Sequence, residues 1–119
     1  MSRSDWVGQL LKTIDNMDAE AFAAFLAKDV SFRFGNAEPV AGKAAVREAV
    51  EGFFGSIKGM RHEVASVLAD DDAVSFHGTV TYTRHDSSSL TVPFADFLSV
   101  RGELITEYLI FMDASQLHE

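Results

Sequence analysis

The sequence predicts an α+β domain in which helices come first and cover one face of a strongly curved, mostly antiparallel sheet. Three observations lead there. Apolar residues recur at helical three- and four-residue spacings in the first half; four long β-forming stretches fill the second half; and the connections between those stretches are too short for anything but antiparallel neighbours. With 119 residues, 47% of them apolar, the chain has enough material for one core and not two, so residues 1–119 are read as a single domain.

Ser4 is placed to cap a first helix whose positions Trp6, Val7, Leu10, Leu11 and Ile14 form one apolar stripe. Asp18 caps a second, shorter helix with Glu20 in its first turn and Ala21, Phe22, Phe25 and Leu26 turned inward. Val30 to Phe34 then alternates as a short strand, with Val30, Phe32 and Phe34 on one side and Ser31 and Arg33 on the other. Gly35 to Gly42 reads as a loop, because Pro39 and two glycines oppose regular structure. A third helix follows from about Lys43, burying Val46, Ala49, Val50, Phe53, Phe54 and Ile57, and Gly59 closes it. Met60–Ala69, Ala73–Thr83, Leu90–Val100 and Leu104–Met112 are the four long strands.

Composition narrows the function. A formal charge of −8 with scattered Lys and Arg disfavours phosphate backbones, so no nucleic-acid partner is expected. Charges interrupt every apolar run, which predicts no membrane span, and no signal-peptide pattern opens the chain. The absence of cysteine removes thiol chemistry and Cys-ligated metal and fits a cytoplasmic protein. His62 and Glu63 point to opposite faces of a strand, Asp70-Asp-Asp72 lacks the glycine of a calcium loop, and Gly42-Lys43-Ala44 is not a phosphate loop. The expectation is chemistry without metal or other cofactor.

One stretch carries the functional signal. Between Leu90 and Val100, one face holds Leu90, Val92, Phe94, Asp96, Leu98 and Val100, so Asp96 is the single carboxylate on an apolar face. An ionised carboxylate there costs several kcal/mol unless it is paired, hydrogen-bonded or protonated, in the range of ~2–7 kcal/mol even for uncharged polar groups. The hairpin before it decides its neighbour. A two-residue turn at Asp86-Ser87 sets His77 across from Asp96; a four-residue loop sets Thr79 there with His77 on the same face; a three-residue loop sends His77 to the other side. A His77–Asp96 pair in an apolar cavity suits proton transfer. The alternative is that Asp96 anchors a buried hydroxyl or amide and His77 is a satisfied sheet residue. Arg33, the lone cation on the side of its strand opposite Val30, Phe32 and Phe34, is a candidate clamp for an anionic group or for Asp96, or else a surface arginine. Trp6, Met60, Phe94, Tyr82 and Tyr108 are candidates to line the cavity.

The outer sheet face also looks apolar. Phe97 faces away from Asp96, and both parities of the last strand are apolar, Leu104, Tyr108, Ile110 and Met112 against Ile105, Leu109 and Phe111. A sheet apolar on both sides needs a second cover, and with no helix left over a homodimer through that face is expected.

The order of elements, the Glu38-Pro39-x-x-Gly42 turn running into Ala44-Ala-Val-Arg-Glu48, and Asp96-x-Leu-x-Val-x-Gly102-x-Leu-Ile105 resemble the nuclear transport factor 2-like superfamily, in particular its SnoaL-like and ketosteroid isomerase-like members. The resemblance covers nearly the whole chain. It implies a cone-shaped fold, a deep apolar cavity, frequent dimers, and either isomerase, cyclase, dehydratase or epoxide hydrolase activity or none. It also implies that Asp96 occupies the position of the acid that ketosteroid isomerases keep protonated to donate to an oxyanion. The isomerase's carboxylate base falls on or beside Arg33 and its first-helix tyrosine near Leu10, while the epoxide hydrolases' last-strand aspartate falls near Ile110. Two readings follow: a cofactor-independent acid/base enzyme acting on a small, apolar, oxygen-bearing molecule with Asp96 and His77, or a non-catalytic module that binds such a molecule.

Overall fold

The computed structural model describes residues 2–118. Its elements run α1 (Arg3–Asp15), α2 (Ala19–Ala23), β1 (Leu26–Phe34), β2 (Val40–Ala41), α3 (Lys43–Gly55), β3 (Gly59–Ala69), β4 (Ala73–Thr83), β5 (Ser89–Arg101) and β6 (Leu104–Phe111). The six strands form one sheet in the order β2-β1-β6-β5-β4-β3. All neighbours are antiparallel except β1 and β6, which are parallel. No helix is long and apolar enough to cross a membrane.

The first two helices begin at side-chain caps, whereas α3 begins at Gly42 without one. Ser2, not Ser4, caps α1: its hydroxyl accepts from the Asp5 amide at 3.1 Å, which places Ser4 inside the first turn. Trp6, Val7, Leu10, Leu11 and Ile14 are the buried stripe, as their spacing predicts. Asp18 caps α2 by accepting from the Ala21 amide, and Met17 between the two helices takes a left-handed φ of 54° to make the turn. α3 stops at Gly55, earlier than the sequence suggests, because Ser56 takes the C-cap, its amide donating to the Phe53 carbonyl and the Ile57 amide to that of Phe54; Ile57 is buried in the turn that follows. The supposed loop after Gly35 contains a two-residue strand, since Val40 and Ala41 pair with Phe32 and Ser31.

β1 begins at Leu26, where its pairing with Ile105 extends the strand upstream of Val30, and an irregularity before Ser31 leaves Lys28 and Asp29 exposed. Bulges also interrupt β3 beside Ala65 and the β5–β6 ladder beside Val100. Each adds local bend, which curls the sheet around the helices. The β6 bulge explains the double apolar parity of that strand: Ile105 and Tyr108 are both buried although three positions apart, and Leu109 and Phe111 fall on the outer face. The core lies between the concave sheet face and α1, α2 and α3, around Leu10, Phe22, Val46, Val80, Ile105 and Tyr108.

Candidate functional site

A cavity of about 260 Å³ opens inside this core. α3 contributes Val50 and Phe53, the sheet contributes Phe32, Met60 and Ile110, and Ala37, Glu38 and Ala49, all exposed, ring its mouth. Besides Glu38 at the mouth, four side chains with N or O atoms reach the lining: Asp96, Tyr108, Tyr82 and His62. The cavity is therefore greasy with a few fixed polar positions, the usual make-up of a small-molecule site.

Asp96 is 2% exposed and is the one buried charged residue among the described residues. Strand alternation puts it there, flanked by Phe94 and Leu98 on the same face. Its Oδ2 accepts from the Tyr108 hydroxyl at 3.3 Å, while Oδ1 is buried with no hydrogen-bond partner. Burial pushes the carboxyl up from 3.8 to about 8, against a smaller downward pull from the Tyr108 hydroxyl. At neutral pH Asp96 is thus chiefly a carboxylic acid with a donor or acceptor facing the cavity. Burial first, and then the Asp96 charge, raises the phenols of Tyr108 and Tyr82, which stay neutral; Tyr82 donates to the Met112 sulfur at 3.3 Å.

The expected partner of Asp96 is elsewhere. Phe76 pairs with Asp96 and His77 pairs with Ala95, so His77 points to the exposed outer face. The β4–β5 turn decides this: Arg84 and Ser88 close it at 2.8 Å, leaving three residues in the loop, with Ser87 at a φ of 73°. Arg33 also lies outside the cavity. It is exposed, pairs with Leu109 on the outer face, and donates from Nε to the Ala37 carbonyl at 3.1 Å, bracing the loop at the mouth. Trp6 is core: its ring packs edge-on to Phe25 and lies under the Arg3 guanidinium. Phe94 is buried between Phe76 and His62 behind the lining. Met60, Tyr82, Tyr108 and Asp96 do line it.

Sequence reasoning passed over His62 and Asp15. His62 Nδ1 lies 2.5 Å from Asp15 Oδ1, and the His62 amide donates to Asp15 Oδ2 at 3.0 Å. The imidazole side chain is 6% exposed and that of Asp15 24%. Parity could have found His62, because it shares a strand face with Met60; Asp15 follows Leu11 by one helical turn.

A family model for the SnoaL-like domain matches residues 7–108. The chain belongs to the SnoaL-like family. No functionally curated protein matches the sequence. Among solved structures this SnoaL-like chain is similar to an NTF2-like protein of unknown function from Burkholderia pseudomallei, 17% identical over 98% of this chain and 95% of that one, with a TM-score of 0.85. It is similar to TerC co-crystallized with polyporic acid, 18% identical over 96% and 93% at a TM-score of 0.80. A protein of ketosteroid isomerase-like fold from Catenulispora acidiphila, in complex with trimethylamine, is 16% identical over 89% and 83% at 0.81. Likenesses at this identity establish the fold, and with it the α+β architecture and the ketosteroid isomerase-like resemblance expected from the sequence.

Proposed function

We propose that this SnoaL-like protein binds a small, largely apolar, oxygen-bearing molecule in its cavity and carries out acid/base chemistry on it, with Asp96 as the proton donor. The observation that carries this reading is Asp96 itself: a carboxyl held neutral by burial, steadied on one oxygen by Tyr108, with its other oxygen unpartnered beside the cavity. A protonated carboxyl can donate to a ligand oxygen that gains negative charge during reaction, and in a dry site such a bond is worth more than in water. The size of the cavity favours a molecule of one or two rings, since sites for drug-sized ligands begin at about 300 Å³. Relatives of the same fold hold small molecules, polyporic acid in one and trimethylamine in another. An epoxide hydrolase-like reaction is disfavoured because the last-strand position is the apolar Ile110.

Cyclohexanone, one ring with one acceptor oxygen, tests the binding step. Wild type is expected to hold it at pH 6 and to lose at least tenfold in affinity at pH 10, and Asp96→Leu to remove that dependence. Equal affinity at both pH values in wild type would overturn the assignment. Turnover is tested on whatever molecule native mass spectrometry finds retained in the purified protein, with Asp96→Asn expected to reduce it at least a hundredfold.

The outer sheet face supports a homodimer. Phe97 and Phe111 are 49% and 54% exposed and pack edge to face at 5.5 Å, and Leu68 beyond them is 72% exposed. Aromatic pairs of this kind are depleted on free surfaces and common at the centre of self-associating ones.

A further inference from the structure

We propose that His62 is a second proton-transfer group in this cavity, an acceptor beside the donor Asp96, that Asp15 positions it, and that the ligand therefore carries a hydrogen-bond donor or acidic proton as well as an acceptor oxygen. The proposal rests on the cavity reading above, but not on Asp96 being the donor.

The geometry fixes which nitrogen is left free for a ligand. An ionised carboxylate only accepts, so the 2.5 Å contact between Asp15 Oδ1 and His62 Nδ1 requires the proton to sit on Nδ1. In the neutral ring Nε2 is then a bare lone pair. Asp15 holds the residue twice, by the ring and by the backbone amide at 3.0 Å, and the edge of the ring meets Phe94 at 5.1 Å and 87°. Ring rotation would break the short contact. Nε2 takes no protein partner among the described residues, and the side chain, 6% exposed, lines the cavity.

A tie between helix α1 and strand β3 would need only one hydrogen bond to an exposed carboxylate. Here the carboxylate consumes Nδ1 and leaves Nε2 as an acceptor on a side chain that lines an apolar site. When a ligand X–H bond breaks, its electron pair stays on X, the new N–H bond forms on Nε2, and the resulting imidazolium faces the Asp15 carboxylate. Asp15 is then a positioning residue, acting through His62 as the aspartate of a hydrolase triad acts through its histidine.

The test uses the full-length protein and two probes, 4-ethylphenol and 4-ethylanisole, alike in apolar body but differing in one donor. Imidazole ¹⁵N spectra at pH 8 are expected to show His62 in the Nδ1–H tautomer, and 4-ethylphenol to move the Nε2 resonance and bind at least tenfold more tightly than the ether. Asp15→Asn should keep the fold by circular dichroism, mix the two tautomers and cut the phenol preference severalfold, and His62→Phe should abolish the preference. An Nε2–H tautomer in wild type, no Nε2 shift with phenol, absent phenol binding, or equal affinity for the two probes would overturn the proposal. Failure of the Asp96 reading shows in the pH dependence of cyclohexanone affinity and failure of this one in the His62 tautomer and Nε2 resonance, so the two appear in different measurements.

Discussion

Phe76 is the cross-strand partner of Asp96, and that pairing turns His77 out of the cavity onto the row it shares with Ser66 and Ala95 on the outer face. One residue of register separates the two arrangements, because successive side chains of a strand alternate between faces. His77 accordingly has no route to a ligand in the cavity. His77→Ala is expected to leave cyclohexanone and 4-ethylphenol affinities unchanged within twofold, measured by calorimetric titration.

Asp96 ties stability to pH in a direction opposite to an ion-paired aspartate. The folded protein keeps this proton up to about 8, whereas the unfolded chain releases it near 3.8. Between those values the folded state binds more protons, so stability falls as pH rises. The total is bounded at roughly 6 kcal/mol, because each tenfold difference in proton affinity between the two states is worth about 1.4 kcal/mol. Asp96→Asn removes that slope. Urea unfolding at pH 5 and pH 9 should show the gap between variant and wild type moving in favour of the variant by several kcal/mol, and an unchanged gap would refute a buried neutral carboxyl.

Much of this fold and part of this site could be read from the order of residues alone. Alternation in β5 assigned Asp96 to the apolar face because both faces of that strand are chemically distinct, and helical spacing assigned the stripe of α1 for the same reason. The hairpin register could not be read. His85-Asp86-Ser87 carries no Asn-Gly or Asp-Gly signature, and the left-handed turn residue is Ser87, a type with little preference for that region. The bulge in β6 is equally hidden, since no glycine or proline marks Thr106, and so both parities of that strand read as apolar with no sign of which one, that of Tyr108 and Ile110, lines the cavity. The His62–Asp15 contact spans 47 residues of sequence and joins a helix terminus to a strand, a relation that only the tertiary fold creates.

Tyr108 sets how readily Asp96 ionises. Its hydroxyl is the one group that lowers the carboxyl against burial, through the 3.3 Å bond to Oδ2. Tyr108→Phe should therefore move the Asp96 midpoint above that of wild type in a ¹³C carboxyl titration, and cost about 1 kcal/mol in stability for the lost bond. A lower midpoint would mean that another donor stabilises the carboxylate.

The exposed aromatic pair on the outer face is the cheapest place to probe self-association. Phe111→Glu puts a charge beside Phe97, 5.5 Å from it in the wild-type arrangement, while the cavity lies on the other side of the sheet. Sedimentation should show a dimer for wild type and a monomer for the variant, since an unpaired charge buried in an interface costs several kcal/mol, ~3–5 by analogy with broken buried pairs. Dimers that persist would put the interface on another surface.

Two glycines separate what the fold needs from what it tolerates. Gly78 faces the bulge in β3, where a Cβ would stand 1.9 Å from the Glu63 carbonyl oxygen and 3.0 Å from the Ala65 nitrogen. Those atoms are backbone on either side of Val64, so they cannot yield without moving the bulge. The bulge lies just past His62 on β3, and moving it would shift the strand that carries the cavity's histidine. Gly78→Ala should therefore cost about 3 kcal/mol or more in chemical denaturation. Gly52 lies in the exposed interior of α3 with nothing within 4 Å of a Cβ. Gly52→Ala should gain up to about 1 kcal/mol from helix propensity alone. If the two substitutions had similar effects, the close approach of β3 and β4 at the bulge would not exist in solution.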